Sequence, residues 1–237
     1  MNILHVKHVL KSVRDSHTDI NMLYQILGLN DFQRKLFDKA IELHGDQKRK
    51  YTGEPYYVHL AEVIGILRLC AADGESLPQG FIEVAICHDL KEDVPFCNTV
   101  YLSELFFELS ENKPFDFDVI TAIEWLTEKY TSKDYPNLNR KERKILENDR
   151  LSDFFDSLNE YYNDPFFEIV GCVKLADMIS NTISISEHDP SFAKVYLQEK
   201  KHLLRLFSMN KESVNASFLF KRLHSLCSQM VFENNEK

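Results

Sequence analysis

His88 and Asp89 stand side by side in Ala85-Ile-Cys-His-Asp-Leu-Lys-Glu-Asp93, and Glu92 and Asp93 follow them by four residues each. An imidazole next to a carboxylate is a nitrogen–oxygen pair suited to a divalent cation. Two further acids one turn on can handle the protons of a water that such a cation activates. The run Phe81–Leu90 is mostly apolar, without Gly or Pro, and predicts a buried helix continuing to about Glu92. Positions i and i+4 share a helix face, so His88 would lie with Glu92 and Asp89 with Asp93. Charged groups rarely enter a core unless paired or bound to metal. The plainer alternative is a surface helix end that carries polar residues, and this stretch alone leaves both open.

Two other segments carry residues of the same chemistry. Lys48, Arg49 and Lys50 lie in a loop punctuated by Gly53 and Pro55, and Pro55 suits the first turn of a helix running to about Leu69. That helix would carry His59 among Val63, Ile66 and Leu67. A lone histidine there is ordinarily a satisfied core residue, and a three-residue basic cluster is ordinarily a solvated loop. Together they point to an anion held beside a metal. Further on, Lys174, Asp177 and Asn181 recur at i, i+3 and i+7 on a helix whose neighbours Val170, Val173, Leu175, Ala176 and Ile179 are apolar. A shared ligand or metal would satisfy all three; an internal Lys–Asp ion pair with Asn181 at the surface is the alternative.

The elements that must position these groups read as helices throughout. The chain has 237 residues, 44% hydrophobic and 27% charged, with only 7 Gly and 7 Pro, which favours a helical globular protein with few tight turns. Leu4, Val6, Val9, Leu10 and Val13 recur at near-helical spacing in a segment 1–31 that reads as an N-terminal helical addition. Asn30 and Asp31 would cap a helix from Phe32 to about His44. Ala71–Gln79 reads as a loop, Thr99–Leu109 and Val119–Leu126 as short helices, and Arg140–Tyr162 as a long one broken at Asn163-Asp164-Pro165. Helices over Phe166–Ile185, Ser191–Phe207 and about Glu212–Phe232 complete the chain, with a polar tail at Glu233–Lys237. No strand alternation, internal repeat or low-complexity segment stands out.

Composition also excludes. No apolar run long enough to span a membrane and no secretion signal is evident at the start. The five cysteines, Cys70, Cys87, Cys97, Cys172 and Cys227, are scattered and never spaced C-x-x-C, which points to reduced core thiols in a cytoplasmic protein rather than a zinc–thiolate site. A formal net charge of −9 argues against nonspecific nucleic-acid binding but not against a small anionic ligand met by a local basic patch.

The chemistry-bearing residues fall in an order that resembles a known family. His59, His88-Asp89 and Asp177, each on its own predicted helix, are similar to the H…HD…D signature of the HD phosphohydrolases. Lys48-Arg-Lys-Tyr-Thr-Gly-Glu-Pro-Tyr-Tyr-Val-His59 resembles the basic-loop motif of the RelA/SpoT-type alarmone hydrolases, and His88-Asp-Leu-Lys-Glu-Asp93 resembles their HD-x-x-ED element. Val173-Lys-Leu-Ala-Asp-Met-Ile-Ser-Asn-Thr182 is similar to their V-K-L-A-D-x-x-x-N helix. Asn139-Arg-Lys-Glu-Arg-Lys and Asp189-Pro-Ser-Phe-Ala-Lys-Val-Tyr-Leu are similar to segments of stand-alone hydrolases of this type. The likeness covers roughly residues 32–207 in consistent order, and several motifs in register are far more specific than one.

This resemblance implies an all-α HD-domain helical bundle over 32–207, with 1–31 as an extension and 208–237 as a C-terminal helix packed on the domain. It implies a small stand-alone enzyme that hydrolyses the 3′-pyrophosphate of ppGpp or pppGpp to GDP or GTP plus pyrophosphate, in the stringent response. The implied cofactor is Mn²⁺, with other divalent transition metals possible, held by His59, His88, Asp89 and Asp177. Glu92 and Asp93 would orient or deprotonate the attacking water. Arg49, Lys50 and Lys174 would meet the nucleotide and its phosphates, with Asn181 and Ser184 on the nucleoside side. The expected partner is a small-molecule nucleotide, with no nucleic acid, no membrane and a possible homo-oligomer. The chain departs from the family pattern at Leu60, where Pro often follows the first metal histidine, and at Ser184, where Thr is common. Two alternatives stand beside this one: an HD hydrolase for another nucleotide (an adenine analogue of the alarmone, NADPH or a dNTP), and a non-catalytic nucleotide sensor.

Overall fold

A computed structural model describes residues 2–71, 77–111, 117–158, 165–213 and 217–233. The fold is all-α: among the described residues the only β pairing is an isolated bridge between Lys48 and Pro55. Two compact units make up the chain, Met1–Thr127 and Glu128–Lys237.

In the first unit, α1 (Ile3–Ser16) and α2 (Ile20–Leu27) precede α3 (Asp31–His44) and α4 (Tyr57–Cys70). Then come α5 (Phe81–Cys87), α6 (Leu90–Asp93), α7 (Thr99–Leu109) and α8 (Phe117–Leu126). Sequence caps set several of these starts. Asp19 accepts from the backbone N–H groups of Asn21 and Met22 ahead of α2, and Asn30 forms a reciprocal capping box with Gln33 ahead of α3.

The centre of this unit is α4. Every residue from Val58 to Leu67 is buried, because α1, α2, α3 and α5 all pack against it. Such a helix shows no amphipathic stripe. Each of its large aliphatic side chains contributes roughly 1.5–3 kcal/mol by leaving water. At Gly65 an added Cβ would lie 3.0 Å from Val9 Cγ1 and 3.6 Å from Val13 Cγ2 of α1. A glycine there lets the two helix backbones come together, so the first helix is seated directly on the helix that carries His59.

The second unit holds α9 (Arg140–Leu158), α10 (Pro165–His188), α11 (Pro190–Ser213) and α12 (Phe218–Glu233). Here α10 packs on α11 and α12, and α11 packs on α9 and α12. Asp189, the single residue between α10 and α11, caps the latter by accepting from the Phe192 backbone N–H at 3.0 Å. The stretch Glu168–His188 is long and apolar enough to cross a membrane by composition, and 83% of that window is buried against other helices, as in a core helix. All five cysteines are free and buried.

Most helix ends agree with the sequence to within a few residues. The expected helix end at Tyr162, the break at Asn163-Asp164, part of the Ala71–Gln79 loop and the end of the polar tail lie outside the described residues. Two expectations need correction. The helix expected to stop at Phe207 runs on through Glu212 to Ser213, a stretch with no Gly or Pro to end it, and the last helix, expected from about Glu212, starts at Phe218. The helix over Phe81–Glu92 is not continuous: it is interrupted by a turn at His88-Asp89, between α5 and α6. Asp89 has φ −98° and ψ −6°, and its carbonyl accepts from the backbone N–H groups of both Glu92 and Asp93. The local pitch is therefore mixed, and the simple i, i+4 alignment does not carry across the dipeptide.

Candidate metal centre

Three side chains of the first unit converge. His59 comes from α4, and His88 and Asp89 from the turn between α5 and α6. Their ligand atoms all lie within 4.8 Å of one another. His88 Nε2 is 3.1 Å and His59 Nε2 3.5 Å from Asp89 Oδ2, and the imidazole centroids are 5.4 Å apart. Both histidines are buried, whereas Asp89 keeps 17% of its side chain exposed, so the cluster opens to solvent on the carboxylate side.

The backbone fixes the imidazole of His88. Its Nδ1 lies 2.9 Å from the Ala85 carbonyl oxygen, which can only accept, so Nδ1 carries a proton and Nε2 is turned to Asp89. The Tyr56 hydroxyl donates to Asp89 Oδ2 at 2.6 Å. Burial alone would raise the Asp89 carboxyl. The charge and hydrogen bond of His88, then His59 and the Tyr56 hydroxyl, outweigh it and hold Asp89 ionised far below the usual carboxylate range. An ionised carboxylate and two imidazole nitrogens, packed closely, form a donor set that fits a divalent transition metal.

A second chain of hydrogen bonds reaches Asp93. His44, at the end of α3, meets Gln47 Oε1 through Nδ1 at 2.8 Å, and Gln47 Nε2 donates to Asp93 Oδ2 at 3.0 Å. The His44 ring lies against Tyr56, centroids 4.6 Å apart. Glu92 and Asp93 are exposed.

The basic loop is built by its backbone. Lys48 bridges Pro55, the Arg49 N–H donates to the Glu54 carbonyl at 2.8 Å, and Gly53, at φ +73°, turns the chain in a conformation other residues resist. The Arg49 side chain is directed inward. Glu62, one turn after His59 on α4 and only 1% exposed, receives Arg14 Nε of α1 at 2.7 Å and lies 3.7 Å from Arg49 Nη2. Lys50 is exposed, its ammonium 4.9 Å from the centroid of the Tyr51 ring.

The remaining expected site residues belong to the second unit. On α10, Lys174 Nζ lies 3.8 Å from Asp177 Oδ2, and Asn181 Nδ2 donates to Asp177 Oδ1 at 2.5 Å, so the three do share a face. Asp177 is buried, and so is Ser184, whose carbonyl accepts from His188 Nδ1 at 2.8 Å. Two lysines from neighbouring helices share this electrostatic environment. Lys144 of α9 pairs with Glu128. Burial would raise Glu128, but Lys144 and then Lys174 and Lys200 bring it below its ordinary value. Lys200 of α11 is pushed down to about 8 by burial and by the ammonium groups of Lys174 and Lys144, against Asp177 and Glu199.

Tyr56, Gln47, His44 and Glu62 escaped the reading from sequence. Tyr56 and Gln47 stand within or beside the quoted basic motif, and Glu62 is the one acid in an otherwise apolar run from Val58 to Leu67, a signal that charge is being taken into a core for a purpose. A Tyr56→Phe substitution tests the outer support: affinity of the cluster for a divalent transition metal, measured by calorimetry, is expected to fall about 10- to 100-fold with the fold intact. Unchanged affinity would remove Tyr56 from the site.

No protein-family model matches the chain, and no curated protein matches it.

Proposed function

We propose that this protein is a metal-dependent phosphohydrolase that removes the 3′-pyrophosphate of ppGpp or pppGpp, giving GDP or GTP plus pyrophosphate. The observation that carries the reading is the convergence of His59, His88 and Asp89 at the points where the sequence resembles the HD alarmone hydrolases. The donor set suits Mn²⁺ and similar ions. When bound there, such a cation would polarise the phosphoryl group and acidify the attacking water.

The chain's own residues supply the rest. Ala85 and Tyr56 hold the ligands in orientation. Gln47 holds one oxygen of Asp93, and this carboxylate and Glu92 would take the proton of the incoming water. In the reaction the water oxygen forms a bond to phosphorus, the bond from phosphorus to the ribose 3′ oxygen breaks, and that oxygen leaves with a proton. Lys50 would meet the phosphate charge; the resemblance gives Arg49 the same role, while its guanidinium is turned inward to Glu62. The resemblance gives Asp177 a ligand role as well, and Asn181 and Ser184 the nucleoside side. Reduced, buried cysteines fit a cytoplasmic setting.

The test is pyrophosphate release from ppGpp by the purified protein with Mn²⁺, beside an EDTA control and a panel of adenine nucleotides, NADPH and dNTPs. Metal-dependent release from ppGpp is expected, and Glu92→Gln should slow it about 10²- to 10⁴-fold while leaving metal content unchanged. Release from another nucleotide alone would transfer the chemistry to that substrate. No metal-dependent release from any of them would overturn the hydrolase reading.

A further inference from the structure

Glu92 and Asp93 stand on a helix of only four residues, and a single turn of that length does not hold itself in place. The start of α6 is tied down: the Asp89 carbonyl accepts from the Glu92 and Asp93 N–H groups, and Leu90 is fully buried. Rotation of the turn about that anchor is left to the side chains. Successive helical residues lie about 100° apart, so Lys91 and Asp93 leave α6 on nearly opposite sides, with Glu92 between them. On one side Gln47 Nε2 holds Asp93 Oδ2 at 3.0 Å. On the other, the Lys91 ammonium donates to Thr99 Oγ1, at the first residue of α7, and to Glu124 Oε1 of α8, both at 3.0 Å. The Thr99 hydroxyl donates to the same Glu124 oxygen and closes a triangle. The Thr99 hydroxyl, followed by Lys91, holds the Glu124 carboxyl below its ordinary value against the effect of burial. Lys91 occupies one of the open positions of the HD-x-x-ED element, so the resemblance gives it no role.

We propose that Lys91 is a positioning residue, which through Thr99 and Glu124 fixes the rotation of α6 and with it the directions in which Glu92 and Asp93 point. An isolated surface ion pair does little of this kind. Here only 18% of the Lys91 side chain is exposed, and its two acceptors sit on two different helices that are themselves joined by a hydrogen bond. A proton acceptor works only within hydrogen-bond reach of the proton it takes, and a displacement of about 1 Å costs up to about a hundredfold in rate. Lys91, Thr99 and Glu124 are not members of the donor cluster, so the tether bears on the acids and not on the metal. Its effect on turnover rests on the hydrolase reading; the tether itself rests on the contacts of Lys91.

Hydrogen exchange of the full-length protein tests the tether without any catalytic readout. Lys91→Met keeps the apolar stem and removes the ammonium. In it the backbone amides of Glu92 and Asp93 are expected to exchange at least about tenfold faster, with those of α4 unchanged. With Mn²⁺ present, kcat for pyrophosphate release from ppGpp should fall about 10- to 100-fold, while KM and metal affinity stay within about twofold of wild type. Lys91→Arg, which can donate to the same two acceptors, should restore most of both. Glu124→Ala, at a position 43% exposed, should act in the same direction, and the double variant should be no worse than Lys91→Met alone. Should Lys91→Met fail to fold, Glu124→Ala carries the same expectations. Lys35→Met, which removes an exposed pair with Glu111, should keep wild-type exchange and kcat. Wild-type exchange in both Lys91→Met and Glu124→Ala, or no recovery in Lys91→Arg, would overturn the proposal. Faster exchange in the variants with no hydrolysis by the wild type would keep the tether and remove the hydrolase reading; hydrolysis with wild-type kcat in both variants would keep the hydrolase reading and remove the positioning role.

Discussion

Asp89→Ala is expected to abolish metal binding and activity together. The carboxylate is the hub of the cluster: both imidazole Nε2 atoms and the Tyr56 hydroxyl face the same Oδ2. Its removal takes away the only anionic donor of the three and leaves two buried imidazoles facing a cavity. Neutral nitrogens alone hold a divalent cation more weakly than the mixed set, and the Lewis-acid contribution to a phosphoryl transfer amounts to several kcal/mol. Loss of it corresponds to a fall in kcat/KM of about a thousandfold or more. Elemental analysis of the purified variant should find no bound Mn²⁺, with the helical circular dichroism spectrum retained. A variant that keeps metal and loses turnover would make Asp89 a participant in proton transfer rather than a ligand.

Glu62→Gln carries the largest expected effect on stability. Glu62 is almost wholly inaccessible and compensates Arg14 at 2.7 Å and Arg49 at 3.7 Å, both themselves mostly covered. Neutralising it leaves two guanidinium groups sharing one amide, and breaking a buried ion pair from one side costs about 3–5 kcal/mol. The lower end applies, because 22% of Arg14 and 10% of Arg49 remain exposed. For a unit of this size that corresponds to a drop of roughly 10 °C in melting temperature. Replacing Arg14 by Met in the same chain should recover part of the loss, the signature of coupled groups. A melting temperature within about 1 °C of wild type would mean that the three charges do not form a stabilising unit.

How much of this was open to a reader of the sequence alone depends on how local the determinant is. Caps are local: Asn30 ahead of Phe32 marked the start of α3, and Asn30 does cap that helix. The histidines and Asp89 were legible as donor types, and the i, i+3, i+7 spacing did place Lys174, Asp177 and Asn181 on one face. The turn at His88-Asp89 was not legible, because nothing in an apolar run without Gly or Pro announces a break. The partners of Arg49 were also hidden. An arginine in a polar loop reads as solvated or substrate-facing; only the fold shows that it meets Glu62 of α4, 13 residues on in the chain, a carboxylate it shares with Arg14 of α1.

The complete enclosure of α4 has a consequence for how this chain can vary. In an ordinary two-faced helix, tolerated and forbidden positions alternate with the turn, and a survey of random substitutions would show that rhythm in α3, where Gln33, Leu36, Phe37 and Ala40 are buried between exposed neighbours. From Val58 to Leu67 there is no outward position on which a neutral change could be stored. That segment would appear as an unbroken block of intolerance, with a glycine that must stay small and an acid that must stay charged. Ten adjacent positions with no free site drift together or not at all, so His59 sits in the part of the first unit with the least room to change.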